Sequence, residues 1–318
     1  MTWVKDYLGD AFEARTLPLS QEAGDGHDEL VATLVRRRLP GSHKAILYVH
    51  GYNDYFFQSH LADYFIGLGY SFYALDLRRC GRSLRPGQVP SMVGSLSEYF
   101  TELNEATRIV REEDGHEVMV INAHSTGALT TCLWAHRNRG TGIIDAMVLN
   151  SPFFEINASW MARRVAPVAL APVARRWPLR VLPSGISGVY GQSIHADHRG
   201  NWQFDTAWKP IEGIPTRMGW VLAITHAQRR LRRGLNIDVP VLVAASTASY
   251  KRPGWSDDAL RMDTVLDVEH MTRWASVLGQ DTTLIQIPGG MHDLALSADP
   301  ARQFYFDALE QWLKEHVQ

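Results

Sequence analysis

The chain has 318 residues, of which 45% are apolar and 21% are charged, and its formal net charge is −2. This is the composition of an ordinary globular protein with a large core, and it excludes the disordered and fibrous classes. The near-zero charge gives no general attraction to nucleic acid, so we expect no nucleic-acid partner.

The cysteines and the N-terminus bear on the compartment. Cys80 and Cys132 are the only cysteines, too few for a disulfide scaffold, so we interpret them as reduced thiols of a cytoplasmic protein. The first ten residues carry acidic side chains, whereas a signal peptide needs a basic start and then an apolar stretch. We therefore do not expect export through a signal peptide. The longest apolar run, 165–174, is half of the roughly 20 residues that a bilayer requires, so no transmembrane span is expected.

Strand and helix patterns alternate along most of the chain. Two strand-like segments, 12–19 and 30–38, come first. Short apolar runs typical of parallel strands covered on both faces then follow at 45–49, 71–75, 118–122, 146–149, 241–245 and 283–287. Helical patterns lie at 58–69, 97–114, 127–138, 265–278 and 300–316. This order predicts an α/β fold with a doubly wound, mostly parallel sheet.

The alternation stops between about 153 and 236, in a stretch rich in Pro, Gly, Trp and Arg that lacks a clear strand. We therefore predict a core formed by 1–152 and 237–318, with a mainly helical cap, 153–236, inserted between its two parts. We expect the cap to lie over the C-terminal edge of the sheet, where ligands bind in open α/β sheets.

Ser125 follows the strand pattern at 118–122 and precedes a helical pattern, with the small residues Ala123 and Gly127 two positions away on either side. A nucleophile elbow needs this arrangement, because its serine sits in a strained turn that bulky neighbours would block. The usual first residue of the motif is glycine, which Ala123 replaces. The alternative is that Ser125 only caps the helix. Its position after the third strand of the alternating series favours the nucleophile.

A second strand end carries a His-Gly turn, formed by His50 and Gly51 after the run at 45–49. Acyl transfer places negative charge on the carbonyl oxygen, which backbone N–H groups can stabilise. We predict that the amides of Tyr52 and Thr126 form this oxyanion hole. We interpret His50 itself as a structural hydrogen-bonding residue.

His292 lies in a Gly-rich turn just after the last predicted strand, where an imidazole can reach back to the nucleophile. We predict that it is the general base. The acid is sought among the aspartates that follow the strand at 241–245 and a long loop. We favour Asp263 and keep Asp267 as the alternative, because Thr264 and Asp267 have the spacing of a helix capping box.

These motifs resemble those of the α/β-hydrolases, in particular the monoacylglycerol lipase and lysophospholipase branch, which is grouped with serine aminopeptidases. The resemblance covers about 25–316 apart from the cap. It is carried by the segments 49–52 (VHGY), 76–83 (DLRRCGRS), 123–127 (AHSTG), 263–267 (DTVLD) and 290–294 (GMHDL). The sequence departs from the family pattern at three places. Arg79 and Cys80 stand where the family tends to have Gly-His, Ala123 replaces the first glycine of the elbow motif, and the insertion before Asp263 is longer than usual.

The resemblance implies the α/β-hydrolase fold and a serine esterase of the carboxylesterase or lipase type. Asp263 would orient His292, His292 would take the proton of Ser125, and water would release the acid from an acyl-enzyme. It implies a small ester or lipid substrate and no metal or organic cofactor. The alternatives are an aminopeptidase or amidase of the same fold and a non-catalytic, ligand-binding member.

The predicted cap is strongly basic. Residues 153–236 contain 12 basic and four acidic side chains, a formal +8, which leaves −10 for the remainder. Arginine pairs at 163–164 and 175–176 flank the apolar run 165–174, a basic cluster occupies 228–233, and five tryptophans lie at 160, 177, 202, 208 and 220. The cap could contact an anionic membrane peripherally. Alternatively, the apolar run packs over the active site as a pocket lid, and the arginines that flank it are solvated on its outer face. Both interpretations favour an apolar acyl group, and the few carboxylates disfavour an aminopeptidase.

Overall fold

The protein is built around a single nine-stranded sheet. This computed structural model describes residues 2–19, 29–157, 166–182 and 188–317, and only the backbone is described for 166–170. The spatial order of the strands is β1-β2-β3-β5-β4-β6-β7-β8-β9. The strands are β1 (Val4–Asp6), β2 (Gly9–Pro18), β3 (Val31–Arg37), β4 (Lys44–Val49), β5 (Ser71–Asp76), β6 (Val118–His124), β7 (Ala146–Asn150), β8 (Val241–Ser246) and β9 (Thr282–Ile287).

Helices cover both faces of this sheet. In the described ranges they are α1 (Ser59–Gly67), α2 (Phe100–Arg108), α3 (Ser125–Arg137), α4 (Ala166–Arg176), α5 (Val189–Ile194), α6 (Met218–Leu231), α7 (Val268–Ala275) and α8 (Ala301–His316). None of them has both the length and the apolar character needed to cross a bilayer. The helices α4, α5 and α6 all belong to the connection between β7 and β8, whereas Trp160, Arg163 and Arg164 lie outside the described residues.

The strand directions explain the sequence pattern. β1, β2 and β3 pair in antiparallel fashion and β3 is antiparallel to β5, whereas the strands from β5 to β9 are all parallel. Alternate residues of β4 enter separate cores. Leu47 and Val49 pack in the core that contains Trp134 of α3, and Ile46 and Tyr48 pack in the core that contains Trp312 of α8. Because both faces are covered, these strands consist of continuous apolar runs.

The predicted doubly wound, mostly parallel sheet is therefore confirmed. The pattern at 97–114 is divided into a 3₁₀ turn (Leu96–Tyr99), α2 and a π-helical turn (Ile109–Glu113). The strand β1 was not predicted. It has three residues, two of them exposed, so it carries neither an apolar run nor a readable alternation.

A buried ion network ties the β1–β2 hairpin to the end of β5. The guanidinium of Arg82 donates to both carboxylate oxygens of Asp6, at 2.7 and 2.9 Å, and to Asp76 at 2.8 Å. The side chains of Arg82, Asp6 and Asp76 are only 7%, 4% and 0% exposed. Each carboxylate is therefore withdrawn from water and depends on this one guanidinium for a counter-charge.

We predict that Arg82→Leu lowers the free energy of unfolding by about 3–5 kcal/mol, because it leaves two buried carboxylates without a cation. Urea denaturation measures this loss. The matched control is Arg302→Leu, which removes the ion pair with the exposed Asp299 and should cost less than about 1 kcal/mol. Equal losses in the two variants would contradict a stabilising role for the buried network.

Candidate active site

Ser125 lies at the junction of β6 and α3 and has a φ of +52°, a left-handed conformation that is uncommon for residues other than glycine. The turn is held by close packing. A Cβ atom on Gly127 would lie 2.3 Å from the carbonyl oxygen of His50 and 2.6 Å from that of Val49. The start of α3 therefore lies directly against the end of β4, and only glycine allows this approach at position 127. Ala123 is fully buried at the first small position of the motif.

Three predicted side chains meet beside this turn. His292 Nε2 lies 3.2 Å from Ser125 Oγ, and His292 Nδ1 lies 2.9 Å from Asp263 Oδ2. Ser125, His292 and Asp263 are 7%, 3% and 0% exposed. The serine follows β6, the aspartate follows the loop after β8, and the histidine follows β9. The hydrogen-bond geometry assigns the Nδ1–H tautomer to His292, which leaves Nε2 free to accept the serine proton.

The loop before Asp263 returns to the sheet despite its length. Asp263 forms an isolated parallel bridge with Ser249, and its N–H donates to Ala248 O at 2.9 Å. Its Oδ1 accepts from the N–H groups of Val265 and Leu266, at 2.8 and 2.7 Å. These two bonds orient the carboxylate so that Oδ2 faces His292.

The structure does not bring Asp267 to His292. Its Oδ1 accepts from the Glu269 N–H at the start of α7, and Lys251 lies 3.4 Å from its Oδ2. Although partial burial acts in the opposite direction, these two contacts lower the pKa of Asp267. The capping-box interpretation made Thr264 the N-cap of the helix, and this was wrong. Asp267 is itself the N-cap, and the buried Thr264 Oγ1 has no hydrogen-bond partner among the described residues.

The turn that carries His292 is anchored by the next residue. The carboxylate of Asp293 accepts from Asn150 Nδ2 at 2.7 Å and from Gln58 Nε2 at 3.2 Å. Asn150 Oδ1 in turn accepts from the Leu294 N–H at 3.1 Å. The turn that carries His292 is therefore connected to the end of β7, and the position of His292 does not depend on the turn alone.

Two aromatic rings that the sequence did not single out contact the imidazole of His292. The ring of His124 lies 4.8 Å from it and that of Tyr190, on α5, lies edge-on at 5.3 Å. Burial, opposed in part by Asp293, lowers the pKa of His124 to about 4. His124 is therefore uncharged at neutral pH and places no positive charge beside His292. No motif spacing could have indicated Tyr190.

The predicted oxyanion donors, Tyr52 and Thr126, border a small cavity next to the Ser125 turn. The Thr126 N–H lies in the first turn of α3, where a helix offers no internal acceptor. A Cβ atom on Gly51 would lie 3.0 Å from Ser125 Cβ, so the loop passes close to the serine. His50 accepts from the Leu77 N–H at Nε2 and contacts Gly51 O at Nδ1. Both of its ring nitrogens therefore bind backbone.

This cavity has a volume of about 10 Å³, enough for roughly one water molecule. Besides Tyr52 and Thr126, its lining includes Leu77, Cys80, Ser91, Tyr99, Thr130 and Trp220. The rings of Tyr52 and Trp220 have centroids 4.0 Å apart. Trp220, from α6, therefore forms part of the cavity wall beside the predicted oxyanion loop.

A buried ion pair joins the connection between β7 and β8 to the loop that contains Tyr52. Lys209 Nζ lies 2.5 Å from Asp54 Oδ1, and the two side chains are 4% and 2% exposed. Although burial opposes its charge, Lys209 lowers the pKa of Asp54. The ammonium also lies within 5.3–5.6 Å of the ring centroids of Phe57, Tyr190 and Phe204. Sequence analysis could not pair residues so far apart in the chain.

We predict that Gly127→Ala lowers the free energy of unfolding by about 3 kcal/mol, because the added Cβ overlaps two backbone carbonyls that cannot move apart without shifting β4. Urea denaturation measures the loss. The control is Gly67→Ala in α1, where a Cβ meets no atom within 4 Å and the helix should gain up to about 1 kcal/mol. If Gly127→Ala is as well tolerated as the control, the close approach of α3 to β4 is contradicted.

Comparisons with known proteins identify the family and the fold. The family model of the serine aminopeptidases, S33, matches residues 40–299. No curated protein matches the sequence significantly.

Solved structures with the same fold include a soluble variant of the monoglyceride lipase from Saccharomyces cerevisiae, with a TM-score of 0.67, 17% identity and coverage of 95% of this chain and 96% of that one. The monoacylglycerol lipase of Paleococcus ferrophilus has a TM-score of 0.64 and 19% identity, over 91% of this chain and 100% of that one. A carboxyl esterase from Bacillus coagulans has a TM-score of 0.63 and 13% identity, over 95% of this chain and 99% of that one.

At these identities the likeness to solved structures establishes the fold. The family match spans far more than half of the sequence. The chain therefore belongs to the S33 serine aminopeptidase family and has the α/β-hydrolase fold.

Proposed function

We propose that this α/β-hydrolase is a serine hydrolase that cleaves carboxylic esters with an apolar acyl group through an acyl-enzyme. The observation that carries the proposal is the buried relay in which His292 lies 3.2 Å from Ser125 Oγ and 2.9 Å from Asp263. The strained φ of Ser125 also presents its hydroxyl outside the helix that follows.

In the first step, His292 Nε2 takes the proton of Ser125 as Oγ attacks the ester carbonyl carbon. Asp263 holds the imidazole in the Nδ1–H tautomer and stabilises the imidazolium that forms. The Tyr52 and Thr126 amides donate to the oxyanion of the tetrahedral intermediate. The imidazolium then protonates the leaving oxygen, and the C–O bond breaks to release the alcohol.

In the second step, water attacks the Ser125 ester. His292 removes a proton from the water, and the tetrahedral intermediate uses the same two amides. Collapse of this intermediate returns the proton to Ser125 Oγ and releases the carboxylic acid. Each proton transfer uses a group of this chain, the substrate or water.

The lining of the 10 Å³ cavity supports an apolar acyl group. Thr130 Oγ1 donates to Thr126 O at 2.9 Å, and Ser91 Oγ contacts Cys80 Sγ at 3.3 Å. Because these polar groups are bonded to one another or to backbone, Leu77 and Trp220 remain as the contact surface for an acyl chain. The small volume requires Trp220 to move before a chain longer than a few atoms can enter.

Unpaired polar atoms near the base support a polar leaving alcohol, as in a monoacylglycerol or a lysophospholipid. Asn53 Oδ1, Asp54 Oδ2 and the Tyr190 hydroxyl are buried and have no hydrogen-bond partner among the described residues. The Tyr190 ring contacts His292, which must protonate the leaving oxygen. Hydroxyl groups of the departing alcohol are suited to these acceptors.

Aminopeptidase activity receives less support from the charges. A free amino terminus needs an unpaired carboxylate near the nucleophile, but Asp54 is already paired with Lys209. In the cap, Glu155 bonds to Arg232 and to Trp274 Nε1, and Asp197, Asp205 and Glu212 are exposed.

The remaining alternative function is that of a ligand-binding member of the fold without turnover. It predicts saturable binding of a ligand without release of a product.

Two further proposals concern organisation and location. The division into a core of 1–152 and 237–318 with a cap of 153–236 is supported by α4, α5 and α6, which lie between β7 and β8. A cytoplasmic location is supported by the two buried, unpaired thiols of Cys80 and Cys132.

We predict that Ser125→Ala lowers kcat for short p-nitrophenyl esters by roughly 10⁴-fold or more, and that Asp263→Asn lowers it by about 10³-fold, because an amide cannot hold the required His292 tautomer. The matched control is Asp267→Asn, which keeps an N-cap side chain and should retain kcat within about twofold. Full activity of Asp263→Asn with loss in Asp267→Asn would reverse the assignment of the acid. Unchanged hydrolysis by Ser125→Ala would reject the mechanism.

We predict that Trp220→Leu raises the ratio of kcat/KM for octanoate to butyrate esters by about tenfold, because the space freed by the smaller side chain should bury about two more methylenes of the longer chain, each contributing about 0.8 kcal/mol. Steady-state kinetics on both p-nitrophenyl esters measures this ratio. Trp3→Leu, beside the edge strand β1, is the control and should leave the ratio unchanged. An unchanged ratio in Trp220→Leu would mean that this ring does not limit the acyl chain.

A further inference from the structure

Exposed apolar side chains are concentrated in one turn of the cap. Trp177, Leu179 and Val181 follow α4 and are 53%, 50% and 49% exposed. Among the described residues, the other large apolar side chains with comparable exposure are scattered, at Val4 and Tyr7 in the N-terminal hairpin and at Phe304 in α8. Single exposed apolar residues are normal, whereas a cluster of this kind marks an interaction surface.

The backbone of this turn is fixed, so the exposure does not arise from a loose segment. Three backbone hydrogen bonds join the turn to the start of α6 and the residues before it: Met218 N–H to Arg180 O (3.0 Å), Gly219 N–H to Pro178 O (2.9 Å) and Leu182 N–H to Thr216 O (2.9 Å). The Arg217 guanidinium adds a bond to Leu179 O. The apolar side chains are therefore held in water by a formed structure.

The same turn is cationic. Arg175, Arg176 and Arg180 are exposed, and the guanidinium of Arg176 lies 5.5 Å from the ring centroid of Trp177. The sequence contains no acidic residue between Glu155 and Asp197. No neighbouring carboxylate of this stretch therefore neutralises the arginines.

A groove extends the cationic surface. It has a volume of about 270 Å³ and is lined by residues of α4 and α6, with Arg175 on one side and Arg229 on the other. Burial, together with these two guanidinium groups, lowers the pKa of the intervening His226. The groove is thus suited to an anionic group such as a phosphate ester.

The surface lies next to the helix that lines part of the predicted acyl cavity. A Cβ atom on Gly219 would lie 2.8 Å from Pro178 Cβ, so the turn packs directly on α6. The next residue, Trp220, contacts Tyr52 and lines the cavity. A lipid layer in contact with the turn would therefore lie close to the side chain that must move for an acyl chain to enter.

We infer that residues 175–181, which we name the docking turn, bind the surface of an anionic lipid layer, with the groove beside them receiving lipid phosphates. Trp177, Leu179 and Val181 would enter the interfacial region, and the arginines would contact the anionic headgroups. This inference rests on the proposed function only for its purpose, the delivery of lipid esters. Binding itself requires no catalysis.

Co-sedimentation of the full chain with vesicles tests the docking turn. We expect binding to an equal mixture of phosphatidylcholine and phosphatidylglycerol, much weaker binding to phosphatidylcholine alone, and weakening by added salt. The triple variant Arg175→Gln, Arg176→Gln, Arg180→Gln should bind roughly 100-fold more weakly, since each surface arginine contributes roughly fivefold. The double variant Trp177→Ser, Leu179→Ser should bind at least about tenfold more weakly.

The matched control is Phe304→Ser, which removes an equally exposed ring, 52% exposed, from α8 and should leave vesicle binding unchanged. Hydrolysis of a soluble short ester should be the same in all these variants, which separates this test from failure of the proposed function. The inference is overturned if the wild-type chain does not bind anionic vesicles, or if Phe304→Ser weakens binding as much as the double variant. It is also overturned if size-exclusion chromatography shows that Trp177→Ser, Leu179→Ser converts a dimer into monomers.

Discussion

The parallel pairing of β4 with β6 sets the geometry on which the candidate site depends. It places Val49 opposite Ala123, so the loop that contains Tyr52 and the turn that contains Ser125 leave the sheet at the same level. The absence of a side chain at Gly127 then allows α3 to begin against the carbonyl groups of Val49 and His50. The strained turn at Ser125 and the close approach of the Tyr52 loop therefore both depend on this strand pairing. His292 and Asp263 reach the same edge because β9 and β8 are parallel to these strands.

The proposed cap is joined to this edge by two contacts of different character. The Trp220 ring packs against the Tyr52 ring at a tilt of 36°, and Lys209 is paired with Asp54, which lies two residues further along the same loop. A buried ion pair contributes little net stability, but an alternative cap position that separated it would leave two bare charges in the interior. The pair therefore restricts where the cap can lie. We propose that the aromatic contact between Trp220 and Tyr52, which involves no charge, is the part that opens for an acyl chain.

Much of the fold and of the site was predictable from the sequence because the information is local. Apolar runs identified the parallel strands, and small residues around Ser125 and the Gly-rich turn at His292 identified two of the three residues that the structure brings together. Local spacing favoured Asp263 over Asp267, but it does not encode the bridge with Ser249 through which the long loop returns Asp263 to the sheet. The contacts of Lys209 and Tyr190 join distant parts of the chain, and no pattern within either segment could predict them.

The central claim is that Ser125 is a nucleophile activated by His292. Labelling with a fluorophosphonate, followed by digestion and mass spectrometry, tests it most directly, because the reagent reacts with an activated serine far faster than with ordinary hydroxyl groups. We expect a single rapidly modified residue, Ser125, with labelling abolished in Ser125→Ala and slowed at least about 10³-fold in His292→Ala, where the proposed base is lost. Modification of a different residue, or labelling at an unchanged rate in His292→Ala, would contradict it.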